Sequence, residues 1–564
     1  MPYKILKVPD FVKLSILFSL LLVLALSPIF AFSVQNVENL TPGANNASNL
    51  PSISPDGRYV AFGSTASNLT DFDTEGMPNI FVRDTQEDTT VIVSVGLADE
   101  GANGPSFFPS ISSNGRYVAF SSLADNLVEG DENKKSDIFV RDTQENTTIR
   151  VSVDSDGNEA GAASLFPSIS SNGRYVSFVS NASDLVDNDT NGVPDIFVRD
   201  TQENTTIRVS VDSDGNEADG ASAFRSSISA DGRYVAFRSS ASNLTNLDTE
   251  SMPNIFVRDT QENTTVMVSA GLAGEANGPS FRPSISPDGR YVVFESYADN
   301  LVADDTNDAY DVFMRDLEDN TTTRVSVSSD GEEANAFSFF PTVSSDGRYV
   351  AFNSIASNLV EGDSAMTLDT FVRDTQKGQT MKVHEGFYLD GDPDITKPGV
   401  LLLVSMFNGT SISSDGRRIA FVSADSLDGF MGSPSEGEIY RSIFLASLNT
   451  DKKAKTFHED SRCLSEKPGE TTWIKLEPTT KDGISGMLLT WVQYGADKVD
   501  IKIDDGSGNY PWMISNTPND GNEFLPNVTR QQAIKIKPIN DCEEGDYGKP
   551  VSYSLYPYGW YNVK

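Results

Sequence analysis

The sequence is poor in the residues that many enzymes use for acid–base and metal chemistry. It has two histidines, His384 and His458, and two cysteines in 564 residues. A Gly-x-Ser-x-Gly motif, a glycine-rich phosphate loop and a cysteine–histidine cluster with metal-ligand spacing are all missing. The chain therefore lacks the signals of a serine hydrolase, a zinc enzyme or a nucleotide-binding enzyme. His384, in the segment MKVHEGF, is predicted to be a sheet residue rather than a base.

Positive charge is also scarce. Lysine and arginine number 43 against 81 aspartates and glutamates, which gives a formal net charge of −38. Such a surface repels phosphate backbones, so the charge argues against a nucleic-acid partner. It suits divalent cations, high salt or simply solubility.

Only one long apolar run occurs, from Leu14 to about Phe32, and it is preceded by Lys4, Lys7 and Lys13. This pattern predicts that residues 1–33 are a secretory signal, with a small-x-small cleavage motif at 31–33, or an uncleaved N-terminal anchor. In both cases we expect the rest of the chain to be exported, to the extracellular space, the cell surface or a periplasm. A membrane would be contacted only through such an anchor.

The two cysteines, Cys463 and Cys542, are expected to form one structural disulfide in an exported protein, with two buried free thiols as the alternative. Asn-x-Ser/Thr acceptor sequences are frequent. Four of them share the phrase Asn-Thr-Thr and begin at Asn146, Asn204, Asn263 and Asn320. This recurrence indicates a repeated surface loop, which would be glycosylated where the host has the machinery.

A nine-residue phrase recurs seven times with a period of about 58 residues and one longer final step. Variants of SPDGRYVAF place their glycines at Gly57, Gly115, Gly173, Gly232, Gly289, Gly347 and Gly416. Each unit carries four strand signals, which in the third unit are PSIS, RYVSFVS, DIFVRD and TTIRVSV, and its Asp-Gly or Asn-Gly predicts a two-residue hairpin. The two middle strands are apolar on both faces, so we expect a neighbouring sheet on each side.

Four antiparallel strands per unit are typical of a β-propeller blade, and seven units predict a closed, all-β, seven-bladed ring. An open β-solenoid is the alternative, which the hairpins and the length of the unit disfavour. The SPDGRYVAF hairpin followed by DIFVRD resembles the TolB-like β-propeller repeat family over residues 34–455. The resemblance implies the fold but little about function, because the family includes translocation partners, propellers attached to peptidases, and secreted proteins of no established role.

The repeat becomes irregular at its end. An insertion, GFYLDGDPDITKPGVLLLVSMFNG, precedes the seventh hairpin, and the last unit reads EIYRSIFLASL. This irregularity predicts that the N-terminal segment around SVQNV closes the ring, and the insertion is a candidate binding loop. Residues 456–564 contain short alternating strands separated by Gly, Asn, Asp and Pro, which predicts a small C-terminal β-sandwich of immunoglobulin or fibronectin type.

The loop before DIFVRD and its equivalents carries the only repeated chemistry. In the third unit, positions 1, 3, 5 and 9 of an EF-hand-like loop are Asp187, Asp189, Asn191 and Asp195, while Val198 stands where the last, bidentate acid would be. The counterparts in the first unit are Asp71, Asp73, Glu75 and Asn79. Such spacing can turn oxygens toward one structural calcium ion, and these two loops are the preferred metal sites. Turns capped by Asp and Asn side chains are the alternative.

Two further repeated features are predicted to be structural. The arginine and aspartate of DIFVRD are expected to pair within or between blades rather than bind an anionic ligand. The Asn or Asp of SNLV, which is Asn126 in the second unit, is expected to be a turn residue.

Together these features predict an exported, non-enzymatic binding or scaffold protein whose loop face contacts a protein or glycan partner. One alternative is a carbohydrate-active hydrolase or lyase that uses acidic residues at the propeller channel, because carboxylate pairs cannot be recognised from spacing alone. Another is a structural component of the cell surface, which the glycosylation acceptors and the N-terminal anchor favour.

Overall fold

The computed structural model describes residues 33–72, 74, 76–97, 100–247, 252–364, 367–385, 409–423 and 441–449, together with the strands of the C-terminal region. The chain divides into two compact units, Met1–Thr450 and Asp451–Lys564. Every regular element among the described residues is a β-strand. In that part of the chain there is no helix long and apolar enough to cross a membrane.

Six four-stranded antiparallel sheets follow one another in the first unit, each with its strands in chain order. The first strand of the chain, β1 (Ser33–Asn39), belongs to a seventh sheet. Blade 1 contains β2 (Ser48–Ile53), β3 (Tyr59–Ser64), β4 (Asn79–Asp84) and β5 (Thr89–Ile92). Blade 2 contains β6 (Ser106–Ile111), β7 (Tyr117–Ser122), β8 (Asp137–Asp142) and β9 (Thr147–Arg150). Blade 3 contains β10 (Ser164–Ile169), β11 (Tyr175–Ser180), β12 (Asp195–Asp200) and β13 (Thr205–Arg208).

The next three blades repeat this order. Blade 4 contains β14 (Ser227–Ile228), β15 (Tyr234–Ser239), β16 (Asn254–Asp259) and β17 (Thr264–Met267). Blade 5 contains β18 (Ser280–Ile285), β19 (Tyr291–Ser296), β20 (Asp311–Asp316) and β21 (Thr321–Arg324). Blade 6 contains β22 (Ser338–Val343), β23 (Tyr349–Ser354), β24 (Asp369–Asp374) and β25 (Gln379–His384).

The seventh blade joins the two ends of the first unit. Its strands are β26 (Ser411–Ile412), β27 (Arg418–Ser423) and β28 (Ser442–Asn449), and β1 pairs antiparallel with β28 from Ser33 opposite Asn449 to Asn39 opposite Phe444. The predicted closure by the segment around SVQNV is therefore confirmed, as is the seven-bladed propeller. The candidate binding loop at 386–408 lies outside the described residues.

The core explains why the middle strands are apolar on both faces. In blade 3, Phe178 of β11 lies opposite Phe197 of β12, and their ring centroids are 5.9 Å apart. Both rings are fully buried, and the six other blades have a phenylalanine pair at the same place. Val179 and Val198 pack in one cluster with Val235 of the next blade. Each sheet thus buries its two faces against the neighbouring blades.

The hairpin between the first two strands differs from the prediction. The connection from β10 to β11 is residues 170–174 rather than two residues, and the amide of Gly173 donates to the carbonyl of Ser170. The Ser170 hydroxyl accepts from the amide of Tyr175 and so stabilises the longer turn. Gly173 has φ +77°, and a Cβ there would come within 2.2 Å of the Tyr117 ring of the preceding blade. The glycine is therefore required by both the backbone and the blade contact.

The first strand of each blade is bent toward the middle of the ring. In β10 the pairing with β11 shifts between Leu165 and Ser168, and Phe166 between them has φ +56°. Residues at this bend in all seven blades surround one central cavity of about 210 Å³. The irregular inner strands therefore form the channel.

The C-terminal unit contains two four-stranded sheets. One has the order β33–β30–β29–β36 and the other β32–β31–β34–β35. The strands are β29 (Thr472–Lys481), β30 (Ile484–Trp491), β31 (Lys498–Ile503), β32 (Trp512–Pro518), β33 (Asn522–Pro526), β34 (Ile534–Ile539), β35 (Tyr553–Leu555) and β36 (Tyr561–Val563). The side chains that would pack in a β-sandwich, the Cys463–Cys542 disulfide and His458 lie outside the described residues, so the sandwich and the disulfide stay predictions. The signal or anchor segment, residues 1–32, also lies outside them.

Candidate ligand-binding site

The loop of blade 3 brings three of its four predicted calcium ligands together around an arginine. Nη1 of Arg208, at the end of β13, lies 3.1 Å from Asp189, 3.6 Å from Asp195 and 3.0 Å from Glu217. The amide nitrogen of Asn191 donates to Asp195 at 2.8 Å. A guanidinium therefore occupies the place where the prediction put an ion. Calcium binding here stays a prediction, and it requires Arg208 to move away.

Burial dominates the electrostatics of this loop. It raises the pKa of Asp195, against the hydrogen bonds from Ser210 and Asn191 and the charge of Arg208. Burial raises the pKa of Asp189 in the same way. Asp187, the fourth predicted ligand, is exposed.

In blade 1 only half of the predicted site can be described. Asp73 and Glu75 lie outside the described residues, and Asp71 is exposed. Asn79 is buried, accepts a hydrogen bond from Ser94 at 2.7 Å and donates to the carbonyl of Met77. Calcium at this loop also stays a prediction.

Comparison of the blades explains the arginine. Where position 9 of the loop is an aspartate, the outer strand supplies a cation whose charge acts on it, in the pairs Asp137/Arg150, Asp195/Arg208, Asp311/Arg324 and Asp369/Lys382. Where position 9 is an asparagine, the outer strand has an apolar residue, in the pairs Asn79/Ile92 and Asn254/Met267. A buried carboxylate needs a nearby cation and a buried amide does not. The outer loops with an aspartate at position 9 therefore receive one cation from within the blade.

The other repeated residues are structural, as predicted. Arg199 of DIFVRD donates to the carbonyl of Asp154, which precedes blade 3, at 2.8 Å, and Asp200 accepts from Nε of Arg174 at 2.8 Å. Asn126 of the SNLV phrase bonds across the chain rather than within its own turn. It donates to the carbonyl of Gly101 at 2.9 Å and accepts from the amide of Asn103 at 3.0 Å, so it clamps the loop that enters blade 2.

The four predicted glycosylation acceptors lie at exposed turns between the third and fourth strands of their blades, with φ between +54° and +56°. Each side-chain oxygen accepts a hydrogen bond from the arginine of the preceding strand, in the pairs Asn146/Arg141, Asn204/Arg199, Asn263/Arg258 and Asn320/Arg315. Their modification stays a prediction.

His384 ends β25 and stacks on Phe444 at 5.5 Å, so its prediction as a sheet residue is confirmed.

The central channel is lined mainly by phenylalanine, proline and hydroxyl side chains. Serines of the inner strands join neighbouring blades, since Ser110 accepts from the amide of Ile169 at 3.1 Å and Ser168 accepts from that of Ile228 at 3.3 Å. Two arginines, Arg225 and Arg282, interrupt this lining, and its described residues include no carboxylate. The channel is therefore positive in a chain of net charge −38.

These arginines stand where the repeat is broken. Arg282 occupies the bend position of blade 5, which is leucine or phenylalanine in blades 1–4 and 6. Arg225 lies in SAFRSSIS, which is one residue longer than SLFPSIS of blade 3. A third departure lies at the fifth residue of the second strand. This residue is Gly63, Ser121 and Val179 in the first three blades, but it is Arg238 in blade 4 and Glu295 in blade 5. Sequence reasoning about the repeat itself missed these residues, but comparing the units for departures would have found them.

Arg238 lies between two aromatic rings. Its guanidinium carbon is 4.9 Å from the ring centroids of Phe224 and Phe281, and its buried Nε has no hydrogen-bond partner among the described residues. Burial, together with the positive charge of Arg282, lowers the pKa of Arg238 to about 10. It is therefore charged at neutral pH and is held by ring faces instead of a carboxylate.

Among the described residues of the cluster, Arg282 is the arginine with an acidic partner. It forms an ion pair with Glu295, whose other oxygen accepts from the amide of Phe340 at 3.0 Å. The guanidinium of Arg282 also lies over the Phe340 ring at 4.5 Å. This network joins blades 5 and 6 and holds Arg282 in place.

Aromatic residues that also depart from the repeat extend this group outward. The Tyr310 ring lies 6.0 Å from Phe281 and 5.2 Å from Tyr297. Tyr310 replaces proline, serine or leucine of other blades, and Tyr297 replaces Thr65, Leu123 or Ser240. We call the departing residues the blade 4–6 cluster, which consists of Arg225, Arg238, Arg282, Glu295, Tyr297 and Tyr310. Cationic and aromatic side chains around a concave opening can bind a ligand.

No protein-family model matches the chain, and no curated protein matches it by sequence. A solved structure described as TolB from Agrobacterium tumefaciens is 14% identical, covers 54% of this chain and 87% of its own, and has a TM-score of 0.33. An oligogalacturonate lyase from Vibrio parahaemolyticus is 13% identical over 74% of this chain and 96% of its own, with a TM-score of 0.42. A puromycin-hydrolysing peptidase of Mycobacterium tuberculosis is 10% identical over 82% of this chain and 61% of its own, with a TM-score of 0.41. The chain is thus similar to propeller proteins of several kinds.

Proposed function

We propose that this chain is an exported, non-enzymatic binding protein that receives a protein or glycan partner at the blade 4–6 cluster. One observation carries the proposal. The charged and aromatic residues that depart from a highly regular repeat belong to different strands and loops, yet the structure gathers Arg238, Tyr310 and Tyr297 around Phe281, beside the Arg282–Glu295 ion pair. Departures made only by drift would be scattered over seven blades rather than gathered at one opening.

The same geometry disfavours the enzyme alternative. A glycoside hydrolase needs two carboxyl groups across the bond that it cleaves. The described lining of the channel offers none, and Glu295 beside it is bound to Arg282. A catalytic pair in the channel would have to include residues that do not belong to its described lining.

The proposal is tested by substituting two exposed residues at the same repeat position. Tyr297 and Leu123 follow the second strand of their blades and are 44% and 49% exposed. Purified full-length protein would be used for affinity capture from the native envelope and for binding to an immobilised glycan array. Tyr297→Ser, which introduces the residue found at Ser240 in blade 4, should abolish binding, and Leu123→Ser should retain it.

Two results would reject the proposal. Failure of the unmodified protein to retain any protein or glycan would remove the binding function. Equal retention by the two variants would remove the blade 4–6 cluster as its site. Turnover of a polysaccharide that one Asp or Glu substitution abolishes would favour the enzyme alternative instead, and self-assembly of the pure chain would favour the cell-surface component.

A further inference from the structure

The charges around the channel do not balance among the described residues. Arg225 and Arg282 line the channel and Arg238 lies beside them over Phe281, so three positive charges lie on one side of the channel, and Glu295 supplies one negative charge. Arg282 and Glu295 form the only described ion pair of this group. Two positive charges therefore remain, in contrast to the outer loops, where each buried cation faces two or three carboxylates.

Arg225 extends into the channel and stays accessible to water. Its guanidinium lies over the Phe108 ring at 5.7 Å, and no described carboxylate contacts it. The narrow surroundings and the charge of Arg282 lower the pKa of Arg225 to about 10, so the side chain is cationic at neutral pH. Confining like charges in this way costs free energy that a bound anion would recover.

Stacking on rings leaves the edge of a guanidinium open for hydrogen bonds. The guanidinium carbons of Arg225 and Arg238 lie over phenylalanine rings, which offer no acceptor oxygen, so their N–H groups stay available to a ligand. A guanidinium edge matches two oxygens of a carboxylate, sulfate or phosphate. Rings that hold the arginines in place also reduce the entropy lost on binding.

We propose that Arg225 and Arg282, which both line the channel, form a subsite for an oxyanion of the ligand, that the charge of Arg238 next to Arg282 strengthens it, and that the partner is therefore anionic. The inference rests on the proposed binding function of the same cluster and names the chemistry that it recognises. A cavity of about 210 Å³ has room for one such group and the sugar or side chain that carries it. The subsite binds the anion by charge and bidentate hydrogen bonds, and no covalent step is involved.

The test titrates small anions into the full-length protein at low ionic strength and follows binding by calorimetry. Glucuronate presents the carboxylate of a sugar acid, and N-acetylglutamate presents that of an amino acid. Inorganic phosphate and sulfate present the other oxyanions. Glucose is the neutral probe. The tightest of the four anions identifies the source of the group. Its affinity should fall by about tenfold or more in Arg225→Gln and in Arg238→Ser, and Arg225→Lys should retain part of it.

The control removes one positive charge elsewhere. Lys135→Gln changes an exposed residue of blade 2 and should bind the anion as the unmodified protein does. A melting curve of each variant verifies that it is folded. The subsite is rejected if none of the anions binds more tightly than glucose, or if the arginine variants bind them as Lys135→Gln does.

The result separates this inference from the proposed function. Partner binding that is lost in Tyr297→Ser but unchanged in Arg225→Gln would reject the oxyanion subsite and leave the binding protein. Anion binding that depends on Arg225, in a protein that captures no partner, would support the subsite and reject the proposed function.

Discussion

At the outer edge of blade 3, Arg208 faces Asp189, Asp195 and Glu217, whereas Arg225 in the channel faces the ring of Phe108. Both arginines are surrounded by protein, and both belong to the same repeat architecture. Their partners differ because the outer loop supplies carboxylates in most blades, while the channel lining supplies aromatic and hydroxyl groups. The outer arginine completes the blade, and the channel arginine has its charge left for a ligand.

The difference shows how a repeat protein separates architecture from function. Paired charges that vary together from blade to blade, such as Asp195/Arg208 against Asn254/Met267, satisfy local needs of the fold. Charges that appear in one place only, such as Arg225 and Arg282, have no counterpart in the other blades. The contrast predicts opposite responses when an arginine is removed from each region.

The largest effect is expected at the outer edge. Arg208→Met should lower the free energy of unfolding by about 3–5 kcal/mol, because it leaves the buried carboxylates of Asp189 and Asp195 without a cation. Adding Asp195→Asn recreates the pair Asn254/Met267 of blade 4 and should recover more than half of the loss. Thermal and urea unfolding of the single and double variants would measure both the loss and the recovery of the free energy of unfolding. A double variant no more stable than Arg208→Met would contradict the pairing.

The equivalent loop of blade 5 should respond to pH. Burial raises the pKa of Asp311 to about 7, against hydrogen bonds from Ser326 and Asn307, with Asp305 adding to the rise and Arg324 opposing it. Glu333 also faces Arg324. A carboxyl whose folded pKa is above its unfolded value holds its proton more tightly when folded, so stability falls as pH rises from about 4 to about 7.

Asp311→Asn should remove this decline, which is at most about 1.4 kcal/mol per pH unit. Melting temperatures of Asp311→Asn and of the unmodified protein would be measured between about pH 4 and pH 8. The difference between the two melting temperatures should grow with pH. Asp308→Asn, in the same loop but exposed, is the matched control and should follow the unmodified protein. Parallel curves for Asp311→Asn and the unmodified protein would refute the assignment.

A smaller effect with the opposite pH dependence is expected at the hairpin pair of blade 3. Burial opposes the charged form of Asp200, but hydrogen bonds from Arg174 and from the amides of Glu203 and Gln202 outweigh it and lower the pKa of Asp200. The stabilisation is present above the unfolded pKa and is lost as pH falls through the folded one. Asp200→Asn should therefore cost about 1 kcal/mol at neutral pH and less below about pH 4, in the same melting series. A constant cost at all pH values would show that charge is not its cause.

The architecture could be predicted because each of its causes is local or periodic. The spacing of Gly57 to Gly416 showed seven units, and apolar faces on both sides of RYVSFVS showed that each sheet has two neighbours. The hairpin length was predicted wrongly, since the side chain of Ser170 extends the turn that Asn-Gly alone would close in two residues.

The candidate site could not be predicted in the same way. Arg208 meets Asp195 only through the pairing of β12 with β13, in which Phe197 lies opposite Arg208. Arg225, Arg238 and Arg282 converge through the curvature of the ring, which no local pattern encodes. Two signals were available in the sequence. One is that an Asp/Arg pair in some blades is replaced by an Asn/Met pair in another, and the other is the extra residue in SAFRSSIS.

The smallest effect is expected at Arg225. The same substitution, made at both Arg208 and Arg225, compares the two regions directly. Arg208→Gln should destabilise the protein strongly, since glutamine brings no charge to Asp189 and Asp195. Arg225→Gln should change the free energy of unfolding by less than about 1 kcal/mol, toward greater stability, because it removes a charge that Arg282 repels and loses contact with only one ring. Thermal unfolding in low salt measures both, and added salt should reduce the gain by screening the repulsion. Equal losses at the two positions would mean that the channel arginine is a structural residue like its counterpart, and the case for an anionic ligand would fail with the comparison.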